Sequence, residues 1–327
     1  MRLITHYSFL ISCKTTVKQH TTLRQLKEQW AGRVMGALTA FAAALAPVIA
    51  IALLMRARPL LDIAPLDKLL TASVWKPLQK EFGFLPFIAG SLWVTVLAML
   101  LAVPPCLLSA IYLAEYAPRR LREAVKPLID LLAGIPSVVY GLWGTLMIVP
   151  FIRDVLIPWS ALALPAAPFF QSKNPTGYSV LAGGIVLAAM VFPVIISTAE
   201  EVIHAVPGGL REAALALGAT RWQAVKGVVL RRALPGIIAS VILGFSRAFG
   251  ETMAVMMVVG NVPQLPHSIF DAGYPLSALI ANNYGEMMSI PLYDAALLAA
   301  ALILLLIVLA FTIIARVVLL RAIKRAT

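Results

Sequence analysis

The chain has 327 residues, of which 61% are hydrophobic and only 13% charged. So little charge over that length excludes an ordinary soluble domain and points to a polytopic membrane protein. A net charge of +12 would suit a nucleic-acid binder, but its distribution along the chain argues for membrane topology instead.

Residues 1–33 are polar and basic and read as a flexible or membrane-surface tail; the apolar patch Tyr7–Ile11 is too short for a signal-peptide core. Six apolar runs follow, at 34–55, 87–112, 128–149, 178–198, 236–260 and 295–315, and residues 321–327 form a short C-terminal tail. Each run is close to the roughly 20 residues a helical crossing needs. Pro47 interrupts the first run and Pro104-Pro105 lie inside the second; spans tolerate prolines where neighbours satisfy the freed carbonyls. Gly134-Ile135-Pro136-Ser137, early in the third run, is either a plain proline kink or a break that turns backbone groups toward a solute path. The loop after it carries a turn at Ser172-Lys173-Asn174-Pro175. Nineteen of the 27 Lys and Arg residues fall in the N-terminal tail, the 113–127 and 199–235 loops and the stretch from Arg316 to the C-terminal end. Seven fall in the three opposite loops and one inside the fifth run. The positive-inside rule then puts both termini and the 200–235 loop in the cytoplasm.

That loop is the longest polar interruption rich in helix formers. Gly208-Gly209 after Pro207 is a turn signal, Arg211 to Leu217 reads as a short helix, and Gly218 suits the left-handed position that ends one. Thr220 with Gln223 forms a capping-box pattern, so a second helix should start near Arg221 and run through Leu230 toward Pro235. Three readings stand open: a basic amphipathic connector on the membrane surface, a DNA-binding helix-turn-helix, or a docking element for a cytosolic partner. The closeness of the flanking apolar runs speaks against the second.

In the fifth run, Arg247 and Glu251 stand four residues apart where charge costs about 2.5–3.5 kcal/mol on insertion scales. On one helix face they would be an ion pair locking two helices, or Arg247 would offer positive potential to an anion while Glu251 orients it. Gly236, Ser240, Gly244 and Ala248 recur every four residues, a small-residue stripe for close packing, and Arg247 beside it should face protein rather than lipid. Asn282, Asn283 and Tyr284, in the outer loop, read as surface residues or contacts to a delivering protein. Cys13 and Cys106 lie too far apart in character for a disulfide, and His6, His20, His204 and His267 show no metal-ligand spacing. No G-x-x-x-x-G-K-[ST] occurs, so no ATP-binding loop, cofactor or metal is expected in this chain.

Glu212-Ala213-Ala214, three residues, then Gly218 resembles the EAA loop of the permease subunits of ATP-binding-cassette importers. Val228 and Leu230 match the continuation of that pattern, whereas Arg231 stands where Pro is usual and Pro235 comes four residues later. The segments Phe82–Ile88, Ala110–Pro118, Gly134–Gly141 and Gly250–Val255 resemble phosphate-importer permeases, the last nearer the PstC-type than the PstA-type subunit. The similarity covers about residues 80–320. It implies an all-α, six-helix type I importer permease in the bacterial inner membrane, forming the path for inorganic phosphate within membrane lipid and binding no nucleic acid. It also implies a second, PstA-type permease, an ATP-binding-cassette ATPase dimer that does the hydrolysis, and an extracytoplasmic phosphate-binding protein. Glu212, Ala213, Ala214 and Gly218 would couple to the ATPase; Arg247, Glu251 and Ser137 would belong to the path. Another oxyanion or polar nutrient would keep the class. A self-contained secondary transporter or a membrane-tethered DNA-binding regulator would change it.

Overall fold

The computed structural model describes residues 3–163, 168–170, 176–287, 290 and 292–326, with backbone alone for 3–26, 66, 168 and 323–326. The turn expected at Ser172–Pro175 lies outside the described residues, as do the side chains of Cys13, His6 and His20. The chain divides into two compact units, Met1–Met55 and Arg56–Thr327.

The first unit is helical from Leu3, within helix α1 (Leu3–Leu61), which runs through Pro47 without a break. The tail read over 1–33 as flexible or lying on the membrane surface is helical from Leu3 onward. From Val34 the helix is apolar on all sides and exposed along nearly its whole length to Met55, the pattern of a membrane span rather than of an amphipathic surface helix.

In the second unit, α2 (Leu66–Thr71) and a two-residue hairpin, β1 (Trp75–Lys76) with β2 (Glu81–Phe82), precede α3 (Leu85–Tyr116). Then come α4 (Arg119–Ala133), α5 (Ser137–Ala163) and α6 (Val180–His204). They are followed by α7 (Gly208–Ala216), α8 (Arg221–Phe249), α9 (Met253–Val258), α10 (Leu276–Asn283) and α11 (Tyr293–Ala326). Among the described residues six helices are long and apolar enough to cross a membrane: Lys27–Leu61, Leu85–Tyr116, Ser137–Ala163, Val180–His204, Arg221–Phe249 and Tyr293–Ala322.

Two of these depart from the apolar runs of the sequence. The third was expected at 128–149, yet α4 stops at Ala133, Pro136 is extended (ψ 141°), and the long helix begins at Ser137. Pro136 lacks an N–H and disfavours helical geometry at the residue before it, so the segment breaks instead of kinking. Residues 128–133 belong to an amphipathic helix with no buried residue. The fifth was expected at 236–260 with a separate helix before it. Instead the helix from Arg221 passes through Pro235 to Phe249, widening to a π turn at Val225–Val229, and Gly250 ends it.

The centre of the bundle is α3 against α6. Val94, Ala98, Ala102 and Cys106 pack on Leu187, Val191 and Ile195, and a Cβ on Gly184 would stand 2.9 Å from Leu97 Cδ2, so the helices meet backbone to side chain. The stripe of α8 lies on the same helix α6: a Cβ on Gly236 would overlap Val202, and one on Gly244 would fall 2.5 Å from Ile195 Cγ1 and 2.9 Å from Val191 Cγ1. Ser240 and Ala248 are buried in line with them. Because lipid is as apolar as these side chains, fit rather than hydrophobicity holds the pair together. Gly244→Val should therefore cost about 1–3 kcal/mol through overpacking and lower the thermal unfolding midpoint of the purified protein in detergent. An unchanged midpoint would show that α6 yields to the added methyls.

At the end of the bundle that holds the hairpin, Trp75 packs edge-on to Phe82, Phe87 and Tyr293. The Nδ2 groups of Asn282 and Asn283 donate to the Tyr274 hydroxyl (3.1 and 3.0 Å), and Asn283 Oδ1 accepts from the Tyr293 hydroxyl (2.9 Å). The two asparagines thus serve internal hydrogen bonds rather than standing free; Tyr284 is exposed.

Candidate functional site

Two groups of side chains carry the chemistry. The first is α7, the turn after it and the start of α8. Leu217 closes α7, and Gly218 takes φ 84°, a left-handed conformation that glycine adopts without a Cβ clash. Its amide donates to the Leu215 carbonyl (2.9 Å). Thr220 then caps α8 by a capping box, its hydroxyl accepting from the Gln223 amide (3.3 Å) while the Gln223 side chain accepts from the Thr220 amide (2.8 Å). Glu212 and Ala213 are exposed and Ala214 is half-buried. Leu217, 90% exposed, and Trp222, 51% exposed, add apolar surface to the same tip. Nothing lies within 4 Å of a Cβ built on Gly208, Gly209 or Gly218, so the tip stands clear of the bundle.

Sequence reasoning missed what holds this tip. Arg211 Nε donates to both carboxylate oxygens of Glu115 (3.0 and 3.1 Å), and its Nη2 donates to the Ile203 carbonyl at the end of α6 (3.1 Å). Arg221, the first residue of α8, donates to the Glu115 carbonyl and stacks over the Tyr116 ring at 4.8 Å. Beside them, the buried Glu200 of α6 faces Arg122 Nε (3.8 Å) and Lys126 Nζ (3.5 Å) of α4. Arg122 also donates to the carbonyls of Leu113 (3.0 Å) and Ala114 (3.2 Å).

The second group lies at two helix breaks. Arg247 sits in the last turn of α8, but Glu251 lies beyond its end, so the pair expected on one helix face does not form. The Glu251 carboxylate turns forward and accepts from the amides of Thr252 (3.1 Å) and Ala254 (3.3 Å), capping α9. Gly250 leaves those amides without helical partners, and a carboxylate there both bonds them and meets the positive end of the helix. None of the ion pairs among the described residues includes Arg247, which is exposed and does not follow the buried stripe next to it. The Ser277 hydroxyl of α10 donates to the Glu251 carbonyl (3.1 Å).

The other break, at 134–136, lies alongside. A Cβ on Gly141 would stand 3.1 Å from Ala254 Cα, so the starts of α5 and α9 touch. Tyr140 spans its own break by donating to the Leu132 carbonyl (2.9 Å). Ser137, half-buried, begins α5 one turn before Tyr140. Since Gly244 abuts Val191 and Ile195, halfway along α6, Arg247 stands near mid-depth of the bundle. Among the described residues no group of three His, Cys, Asp or Glu side chains could hold a metal ion.

Residues 106–324 match the family described as binding-protein-dependent transport system inner membrane component. The chain is 40% identical over 251 residues to a phosphate transport system permease protein PstC of Xylella fastidiosa, covering 76% of each chain. It is 36% identical over 250 residues to a probable PstC of Methanocaldococcus jannaschii (74% of this chain, 79% of that one). It is also 41% identical over 225 residues to a probable ABC transporter permease of Bacillus subtilis (68% and 67%). Among solved structures, an alginate ABC transporter in complex with its substrate-bound periplasmic protein aligns with TM-score 0.55 at 18% identity, covering 89% of this chain and 94% of that one. The methionine transporter MetNI, in an inward-facing conformation, aligns with TM-score 0.53 at 19% identity (76% and 99%). At that identity the structures speak for the fold alone: the bundle has the arrangement of an ABC importer permease. The chain belongs to the inner membrane permease components of binding-protein-dependent transport systems, in their PstC-type branch.

Proposed function

We propose that this chain forms half of the path for inorganic phosphate in an ATP-driven importer. Its partners are a PstA-type permease, a pair of ATP-binding-cassette ATPase subunits and an extracytoplasmic phosphate-binding protein. The observation that carries this reading is the 40% identity over 251 residues to a permease named for phosphate transport. The exposed turn between α7 and α8 supplies the docking element such a division of labour needs, with Glu212, Ala213, Ala214 and Gly218 at its tip. ATP-driven closure of the ATPase pair moves that turn, and the spans alternate between outward and inward access. Arg247, permanently charged, near mid-depth and in none of the ion pairs among the described residues, cannot face lipid without a cost of about 2.5–3.5 kcal/mol. It therefore faces a water-filled path against the second permease, where its planar fork suits phosphate oxygens. Ser137 and Glu251 stand at the same breaks.

Reconstituted vesicles holding both permeases and the ATPase should take up labelled phosphate only with ATP and loaded binding protein, and sulfate should compete poorly. Uptake by this chain without an ATPase would overturn the reading in favour of a secondary transporter. Orientation has its own test. The Lys and Arg asymmetry puts the α7–α8 turn in the cytoplasm and the end of α10 outside. In a background lacking Cys13 and Cys106, Leu217→Cys and Tyr284→Cys should label with an impermeant thiol reagent from opposite faces; labelling from one face would refute the six-span topology.

A further inference from the structure

We propose that Glu115 is the positioning residue that ties the docking turn to the transmembrane bundle, so that motion of α7 enters α3 and α6 through the Glu115–Arg211 ion pair. The proposal rests on the docking reading above and adds the route by which force leaves the turn. Gly208, Gly209 and Gly218 are open to solvent, so besides its chain connections to α6 and α8 the turn meets the bundle through the polar bonds at its base. Both of its ends return to one corner: Arg211, at the start of α7, holds the Glu115 side chain, and Arg221, at the start of α8, holds the Glu115 carbonyl. Arg211 reaches two further carbonyls, Ile203 and Val206, where α6 gives way to the turn.

The corner is stiff for physical reasons. The Glu115 side chain is 7% exposed and that of Arg211 22%, so the pair is little screened by water. The geometry is a fork on a carboxylate, which fixes orientation as well as distance. The π turn at Tyr112–Tyr116 is what aims Glu115. One extra residue in a helical turn rotates everything after it by about 100°, so an unbroken α-helix would point this carboxylate elsewhere. A pair that only folded α7 would need no bonds to α6 and none from Arg221; here a single residue of α3 joins three elements.

The test uses the intact importer in vesicles with its binding protein. Glu115→Gln keeps the side chain's size and removes its charge. Expected are unchanged ATPase association, ATP turnover within about twofold of the parent, and phosphate uptake per ATP reduced about tenfold or more, since a buried pair loses one partner. Arg211→Lys keeps the charge but loses the fork and should uncouple in the same direction, less severely. Should Glu115→Gln fail to fold, Arg211→Lys decides by the same readouts. Uptake per ATP at the parent level overturns the proposal. So does loss of uptake together with loss of the ATPase, because the pair would then only shape the docking surface. Failure of the docking reading shows separately, as full uptake and full retention of the ATPase by Glu212→Lys and Gly218→Pro chains alike.

Discussion

Glu212→Lys in α7 is expected to abolish ATP-driven uptake and to release the ATPase, while the chain inserts and folds as before. Glu212 is exposed, and none of the ion pairs among the described residues includes its side chain, so its replacement leaves the bundle intact. Whatever is lost must be lost to a partner. Reversing a charge at an interface sets like against like, at a cost of several kcal/mol, enough to empty the complex at ordinary concentrations. Gly218→Pro should give the same result by another route. Space does not limit this position, since nothing lies within 4 Å of an added Cβ; the backbone does. Proline fixes φ near −65°, against the observed 84°, and removes the amide that closes the turn on Leu215. Gly218→Ala, which needs only left-handed strain of about 1–2 kcal/mol, should retain part of the activity. ATPase content of the purified complex and vesicle uptake measure all three. Full uptake and full association in Glu212→Lys and Gly218→Pro alike would leave the turn as a mere surface connector.

These local features were legible in the sequence because their chemistry is local. The Thr220–Gln223 capping box and the left-handed Gly218 are set by residues within one turn of each other. The helix boundaries were less legible because apolarity alone does not say what it faces. Leu128, Leu131 and Leu132 look like the start of a span, yet they form the exposed apolar side of an amphipathic helix that ends before Pro136. The four-residue spacing of Arg247 and Glu251 implies a shared face only if the helix continues. Gly250 stops it, and the apolar residues of α9 beyond hid that stop. The Glu115–Arg211 pair joins positions 96 apart, a separation at which one sequence carries no pairing signal. The lone carboxylate in Ala110–Pro118, at the end of a span and followed by arginines, was the only hint available.

Arg247→Gln is expected to lower phosphate uptake by about one to two orders of magnitude, the loss of a charged hydrogen bond worth about 1.5–3 kcal/mol. Because no carboxylate among the described residues pairs with Arg247, removing its charge strands nothing in the fold, and expression and ATPase association should stay at parent levels. Arg247→Lys keeps the charge without the planar fork and should fall between the two. Glu251 behaves differently. Its carboxylate caps α9, and Glu251→Gln keeps an oxygen to accept from the Thr252 and Ala254 amides while losing about 0.3–1 kcal/mol of charge–dipole attraction. That single change should leave most of the uptake. It follows that adding Glu251→Gln to Arg247→Gln should rescue nothing, whereas a locking ion pair would be restored to near-normal transport by neutralising both partners. The deciding measurement is uptake at matched expression. Near-parent transport by Arg247→Gln removes Arg247 from the path, and rescue in the double variant returns it to a structural pair formed in another conformation of the transporter.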